Sequence, residues 1–269
     1  MSYLINGVRY YVDVYGEGFP LLLLHGFTGE STTWKPFYRD WGKHSKLIIP
    51  DLIGHGKTES PHNVSRYKIE FAAKDLLGIL DQLGIDKVDL LGYSMGGRLA
   101  LTFAILFPKR VRKLILESSS PGLPSIEERE FRCMKDRELA DFIREKGIEV
   151  FVDYWEDIPL FSTMKQLPDE INKTIRRQRL SNNPFGLANS LLGMGTGMQP
   201  SWWENLNQLQ HEILLVTGEK DKKFCLIAEK MKKKLKNGAW ISIPNSGHAN
   251  HVEDQEMFGT IVSDFLKNT

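Results

Sequence analysis

The run Leu90-Leu91-Gly92-Tyr93-Ser94-Met95-Gly96-Gly97 constrains this chain more than any other stretch, because it asks one residue to turn a strand into a helix. Residues 87–91 read as a strand, and residues 95–107 as a helix stopped by Pro108. So tight a turn forces Ser94 into strained backbone angles, and a Cβ two positions before or after it would collide with neighbouring backbone. Glycine at 92 and 96 removes both collisions. A bare G-x-S-x-G carries little weight, but between an apolar strand and a helix it marks a serine held out as a nucleophile.

The rest of the chain supplies the sheet that such a turn needs. Residues 8–15, 20–24, 46–49, 111–116, 213–216 and 239–243 read as further strands. Between them, residues 67–83 place Ile69, Ala72, Ala73, Leu76, Leu77, Leu80 and Leu83 on one helical face, and residues 258–266 suggest a closing helix. Strands alternating with helices imply an α/β protein with a mostly parallel sheet covered on both sides. From about residue 122 to 206 no strand is evident, and charge, aromatics and helical patterns take over. The expected organisation is therefore a core in two parts, 1–121 and 207–269, with a helical lid, 122–206, over the sheet edge where open α/β sheets bind ligands.

Lys+Arg 35 against Asp+Glu 34 leaves a net charge of +1, so neither nucleic acid nor a membrane is expected as partner, and any basic site must be local. The basic run at residues 230–236 reads as a solvated helix face. Cys133 and Cys225 are far apart and lack metal-ligand spacing, which points to free thiols in a reducing compartment and no metal. Residues 1–11 lack the pattern of a secretory signal, and apolar stretches such as residues 21–24 are far too short to cross a bilayer. A cytoplasmic location is expected.

A serine nucleophile needs a base, an orienter for that base and two amide donors for developing negative charge. His248 follows the strand at 239–243 in Pro244-Asn245-Ser246-Gly247-His248 and is the candidate base, with His251 its nearest rival. Asp221 follows the strand at 213–216 and is preferred as the acid over Glu219, being further into the loop; Asp51 precedes the serine. The chain order serine, acid, histidine resembles that of the α/β-hydrolase fold. The N–H groups of Met95 and of Phe27, in Leu24-His25-Gly26-Phe27, are the expected oxyanion donors. His25 and His55 read as structural histidines.

Several longer motifs carry a closer resemblance. Gly92-Tyr93-Ser94-Met95-Gly96-Gly97-Arg98, Glu127-Glu128-Arg129-Glu130-Phe131-Arg132, Tyr154-Trp155-Glu156-Asp157-Ile158-Pro159-Leu160-Phe161 and Arg179-Leu180-Ser181-Asn182-Asn183 lie along it, with Gly193-Met194-Gly195-Thr196-Gly197-Met198-Gln199-Pro200-Ser201-Trp202 and Gly218-Glu219-Lys220-Asp221. Together they resemble the 2-succinyl-6-hydroxy-2,4-cyclohexadiene-1-carboxylate synthases of menaquinone biosynthesis, over nearly the whole chain. The resemblance implies an elimination of pyruvate from a small polycarboxylate, with Ser94, His248 and Asp221 acting as a base and with no organic cofactor or metal. It also implies that Arg98, Arg132 and Arg179 bind carboxylates while Tyr93 and Trp155 line the site. Arg176 and Arg177 compete with Arg179 for its role. Such a chain is expected to be a monomer or weak homo-oligomer. The rival readings are a carboxylesterase or C–C bond hydrolase working through an acyl-serine, and a ligand receptor without turnover.

Overall fold

In the computed structural model, which describes residues 1–267, the strands β1 (Ser2–Ile5), β2 (Val8–Tyr15), β3 (Phe19–Leu24), β4 (Ser45–Pro50), β5 (Val88–Tyr93), β6 (Val111–Glu117), β7 (Glu212–Gly218) and β8 (Gly238–Ile243) form one sheet. Their spatial order is β1-β2-β4-β3-β5-β6-β7-β8. The pairs β1/β2 and β2/β4 are antiparallel, and from β4 to β8 every pair is parallel. Strands buried on both faces need continuous apolar sequence, and Leu21, Leu22, Leu23 and Leu24 of β3 are all fully buried. Alternate side chains point to opposite faces. Leu22 and Leu24 join the core beneath α2 (Ile69–Gln82), α3 (Met95–Leu106) and α7 (Lys222–Lys234), whereas Leu21 and Leu23 join the core beneath α1 (Tyr38–Trp41) and α9 (Gln255–Lys267).

The strands at residues 8–15 and 20–24 and the helices at residues 67–83, 95–107 and 258–266 appear within a few residues of their expected limits. β1 was not anticipated. It is a four-residue edge strand with one buried side chain, so its apolar signal is faint. The cue is the turn Asn6-Gly7, where both residues take positive φ (47° and 80°), the requirement of a tight two-residue hairpin. The basic run ends α7, where Lys232, Lys233 and Lys234 are exposed and oppose the helix dipole favourably.

Between β6 and β7 the chain forms α4 (Ile126–Glu156), α5 (Asp169–Leu180), α6 (Pro184–Met194) and two 3-10 segments, with no strand among these residues. Ser125 caps α4, its hydroxyl accepting from the Glu128 N–H while the Glu128 carboxylate accepts from the Ser125 N–H. Gly147 breaks α4 with φ +80°. The insertion owns an apolar cluster of Ala140, Ile143, Phe151, Val152, Leu187, Ala188 and Leu191, against which Phe27 packs from the core. It is tied to the loops beyond β3 and β4: Gln178 Nε2 donates to Thr32 Oγ1 (2.7 Å), Asn182 Nδ2 to Thr28 O (2.9 Å) and Gly56 N to Asn182 Oδ1 (3.0 Å). The helices thus lie at the C-terminal ends of the parallel strands. Residues 268–269 of the expected third segment lie outside the described residues.

Two buried histidines shape those loops. His25 Nε2 accepts from the Leu52 N–H (2.9 Å), so the ring proton is on Nδ1 and is donated to Gly26 O (2.8 Å). His55 is held by Ile53 O (3.1 Å), and buried Asp51 accepts from the N–H groups of Ser31 and Lys57 (2.6 and 2.7 Å). Burial pushes the His25 imidazole down to about 4 and that of His55 to about 3, from an ordinary value of 6.5. Between those values the unfolded chain binds protons that the folded chain refuses. This part of the stability is complete above pH 6.5 and is lost as the pH falls through the interval, at about 1.4 kcal/mol per pH unit for each ring. Thermal unfolding between about pH 7 and about pH 5 should show Tm dropping with acidity, with a shallower slope in His55→Asn. An identical slope in that variant contradicts the assignment.

Candidate active site

Ser94 adopts φ 50°, ψ −107° at the joint of β5 and α3, the strained turn expected from the glycine spacing. A Cβ on Gly92 would lie 2.3 Å from Gly96 O, and one on Gly96 would lie 2.3 Å from Leu24 O and 2.5 Å from His25 O. The Ser94 N–H donates to Glu117 O of β6 (2.8 Å), which anchors the turn from the other side.

The serine hydroxyl lies 3.0 Å from His248 Nε2, and His248 Nδ1 lies 2.6 Å from Asp221 Oδ2. An ionised carboxylate only accepts, so Nδ1 carries the ring proton and Nε2 is left to accept from the hydroxyl. Asp221 caps α7, its other oxygen accepting from the Phe224 N–H (3.3 Å). The imidazole is 1% exposed, with the rings of Phe224 and Tyr93 at 4.7 and 5.5 Å. The competitors are occupied elsewhere. Glu219 is exposed and accepts from the Asn245 N–H, Asp51 closes the loops described above, and His251 binds Glu117.

Phe27 and Met95, the two expected amide donors, stand at the end of β3 and the first turn of α3. Among the described residues neither N–H has a protein acceptor, and the positive end of the α3 dipole lies on the same side as Ser94. A free amide at the first turn of a helix suits an oxygen that gains negative charge.

The other named residues divide into two groups. Tyr93 and Arg179 wall a cavity of about 860 Å³ together with Phe27, Thr28, Phe161 and His251. Arg179 is buried, 3.3 Å from Glu156 and over the Phe161 ring at 4.9 Å; burial pulls its pKa down while Glu156 opposes the shift. Arg98 and Arg132 lie outside that cavity's lining. Arg98, one helical turn beyond Ser94, is buried, and its Nη1 donates to Met194 O (2.7 Å) and Gln199 Oε1 (3.1 Å). Burial first and the charge of Arg132 second lower its pKa to about 10. Arg132 is partly exposed and pairs with Asp136 (2.7 Å). Of the competitors for the Arg179 position, Arg176 is committed to Asp153 and Glu156, and Arg177 is exposed. Trp155 packs edge-on against Phe27 (5.4 Å) and Phe161 (5.7 Å), and its indole N–H is buried with no partner. Among the described residues no group of three or more His, Cys, Asp or Glu side chains is placed to hold a metal ion.

Comparison with known proteins settles the family. Residues 20–255 match the family model described as alpha/beta hydrolase fold. The chain belongs to the α/β-hydrolase family. Within it, the chain is 48% identical, over 97% of its length and 96% of the relative's, to a Bacillus subtilis (strain 168) protein named as a candidate 2-succinyl-6-hydroxy-2,4-cyclohexadiene-1-carboxylate synthase. It is 33% identical to the synthase of that name from Photorhabdus laumondii, covering 91% of this chain and 84% of the relative. The solved structure of MenH from S. aureus superposes with a TM-score of 0.92 at 36% identity, covering 96% of this chain and 98% of that one. The chain is accordingly a member of the synthase group within the α/β-hydrolase family.

Side chains that residue-by-residue reading passed over also meet here. Gln199 is fully buried, receives Arg98 on Oε1 and has an unpartnered Nε2. Its only signal in sequence is its place in the run from Gly193 to Trp202. Phe224 packs at a tilt against His248 because it lies on the first turn of the helix that Asp221 caps. The glycine contacts give a sharp test. Gly96→Ala must push the end of β3 away from α3 and separate the two free amides. Activity should fall by roughly 100-fold or more, the usual effect of losing an oxyanion donor, in protein that retains its circular dichroism. Unaltered activity would exclude the close approach of Gly96 to Leu24 O.

Proposed function

We propose that this enzyme eliminates pyruvate from 2-succinyl-5-enolpyruvyl-6-hydroxy-3-cyclohexene-1-carboxylate, giving 2-succinyl-6-hydroxy-2,4-cyclohexadiene-1-carboxylate in menaquinone (vitamin K2) biosynthesis. The relatives above are named for making that product. The observation that carries the substrate class is the presence of two buried guanidinium groups, Arg98 and Arg179, near a hydrogen-bonded serine, histidine and aspartate. A buried cation is unfavourable unless an anion or strong acceptors compensate it, so buried guanidinium groups on either side of the serine suit a ligand with several carboxylates. Guanidinium groups also grip carboxylates through two parallel bonds.

In this reading His248 takes the Ser94 proton and Ser94 removes the ring hydrogen at C2, which is acidified by the succinyl ketone. Asp221 keeps His248 in the required tautomer and supports its positive charge. The negative charge that moves onto the ketone oxygen meets the N–H groups of Phe27 and Met95. It then returns through the ring double bond and breaks the bond from C5 to the enolpyruvyl oxygen. The departing enolate recovers the proton and becomes pyruvate, so the proton balance closes without a cofactor. Arg98, Arg132 and Arg179 hold the carboxylates, and Tyr93 and Trp155 line the ring. For Arg98 this uses the guanidinium nitrogens left over from Met194 O and Gln199. Residues 122–206 act as a lid.

The substrate is a small polycarboxylate, and we place the enzyme in the cytoplasm as a monomer or weak homo-oligomer. No helix among the described residues is long and apolar enough to cross a membrane, and both cysteines are unpaired. An esterase with a neutral acyl pocket, working through an acyl-serine, would use the same serine, histidine and aspartate but has no need of buried arginines.

The direct test supplies the enolpyruvyl cyclohexene and measures pyruvate. Wild type should release it and Ser94→Ala should lose nearly all turnover. Absence of release from wild type would refute the reading. Arg98→Ala should reduce kcat/KM for pyruvate release by roughly 30-fold or more, the effect of deleting a charged hydrogen bond, while p-nitrophenyl acetate hydrolysis stays within about 3-fold. Equal loss of both activities would remove Arg98 from carboxylate binding.

A further inference from the structure

His248 sits on the loop after β8, and its hydrogen bonds to Ser94 and Asp221 are only as well aimed as that loop is still. One carboxylate grips the backbone on both sides of it. Glu253, the last residue of α8 (Asn250–Glu253), accepts the Gly247 N–H on Oε2 at 2.7 Å and the Ala249 N–H on Oε1 at 3.1 Å. Its own N–H donates to Ala249 O at 2.9 Å, so the contact is reciprocal. Bonds from amides to a carboxylate are among the stronger hydrogen bonds available to a loop. The arrangement also accounts for Gly247. A Cβ there would stand 2.2 Å from Thr163 Oγ1 and 3.1 Å from Glu253 Oε1.

We propose that Glu253 is a positioning residue for His248, holding the amides before and after it so that the imidazole meets Ser94 and Asp221 in line. Without it, the residues around His248 would keep the Lys220 N–H to Ser246 O bond on one side (2.9 Å) and the His251 anchor on the other. That anchor is rigid. Fully buried Glu117 accepts both the backbone N–H of His251 (3.0 Å) and its Nδ1–H (2.9 Å), and the Glu117 carbonyl receives the Ser94 N–H. The loop is thus referenced to the strand that carries the nucleophile turn, and Glu253 spans the stretch that neither anchor reaches. The role requires length and two acceptor atoms. Glutamine keeps the length and one acceptor, and alanine keeps neither.

The inference rests on His248 serving as base, so the experiment separates the two. Ser94 is labelled with a fluorophosphonate, whose rate reports base-assisted nucleophilicity without the natural substrate, and pyruvate release is measured in parallel. Glu253→Gln should lower both kcat and the labelling rate by roughly 10-fold, and Glu253→Ala by roughly 100-fold, with KM within about 2-fold of wild type, the signature of lost orientation and not of lost binding. Labelling as fast in His248→Ala as in wild type would defeat the reading of His248 as base. Slow labelling in His248→Ala, together with wild-type labelling and kcat in Glu253→Gln and Glu253→Ala, would overturn the role of Glu253 alone. A change confined to KM or to Tm would also overturn it. If Glu253→Ala does not fold, the glutamine variant decides.

Discussion

The close approach of Gly96 to the carbonyls of Leu24 and His25 is the contact on which the site depends. It brings the first turn of α3 against the end of β3 with no side chain between them. The same turn lifts Ser94 out of the sheet at φ 50°. Strain of this kind persists only where the surroundings over-determine it. Here they do: the Ser94 N–H is bound to β6, α3 is packed into a core of fully buried leucines, and Ser94 meets His248.

Around this rigid centre the charges are handled in two ways. His25 and His55 are buried as neutral rings whose hydrogen bonds go to loop backbone, so they build the walls and take no proton near neutrality. Arg98 and Arg179 are buried as cations and borrow partners from the chain: a carbonyl and an amide for one, Glu156 and an aromatic face for the other. Those partners satisfy only part of each guanidinium fork, and the unpartnered Gln199 Nε2 and Trp155 Nε1 are further donors without acceptors.

Most of the strands, the turn at Ser94 and the helical insertion were legible because each rests on a local pattern: an apolar run bounded by turn residues, a glycine spacing, a long absence of strand signal. Asp221 could be preferred to Glu219 by loop position alone, and the structure gives the mechanical reason, since only Asp221 is turned inward by capping α7. β1 escaped because an edge strand buries little and leaves almost no apolar imprint. The arginines were harder. Residue type and spacing make Arg132 and Arg179 ordinary helix-surface residues, and yet Arg179 is buried while Arg132 stays partly exposed beside Asp136. Periodicity reports which face of a helix is apolar, not what a neighbouring helix lays over a polar one.

By itself the sequence determined the fold class, the position of the strained serine turn and the order in which the aspartate and histidine follow it, because these depend on backbone geometry that particular residues permit or forbid. Only the tertiary structure decided which of two neighbouring histidines reaches Ser94, which arginines are enclosed, and how Glu253 and Glu117 hold the loop between them. The first and the last of these depend on contacts between segments more than a hundred residues apart, Ser94 with His248 and Glu117 with His251, whose energies arise only once the sheet has brought the segments together.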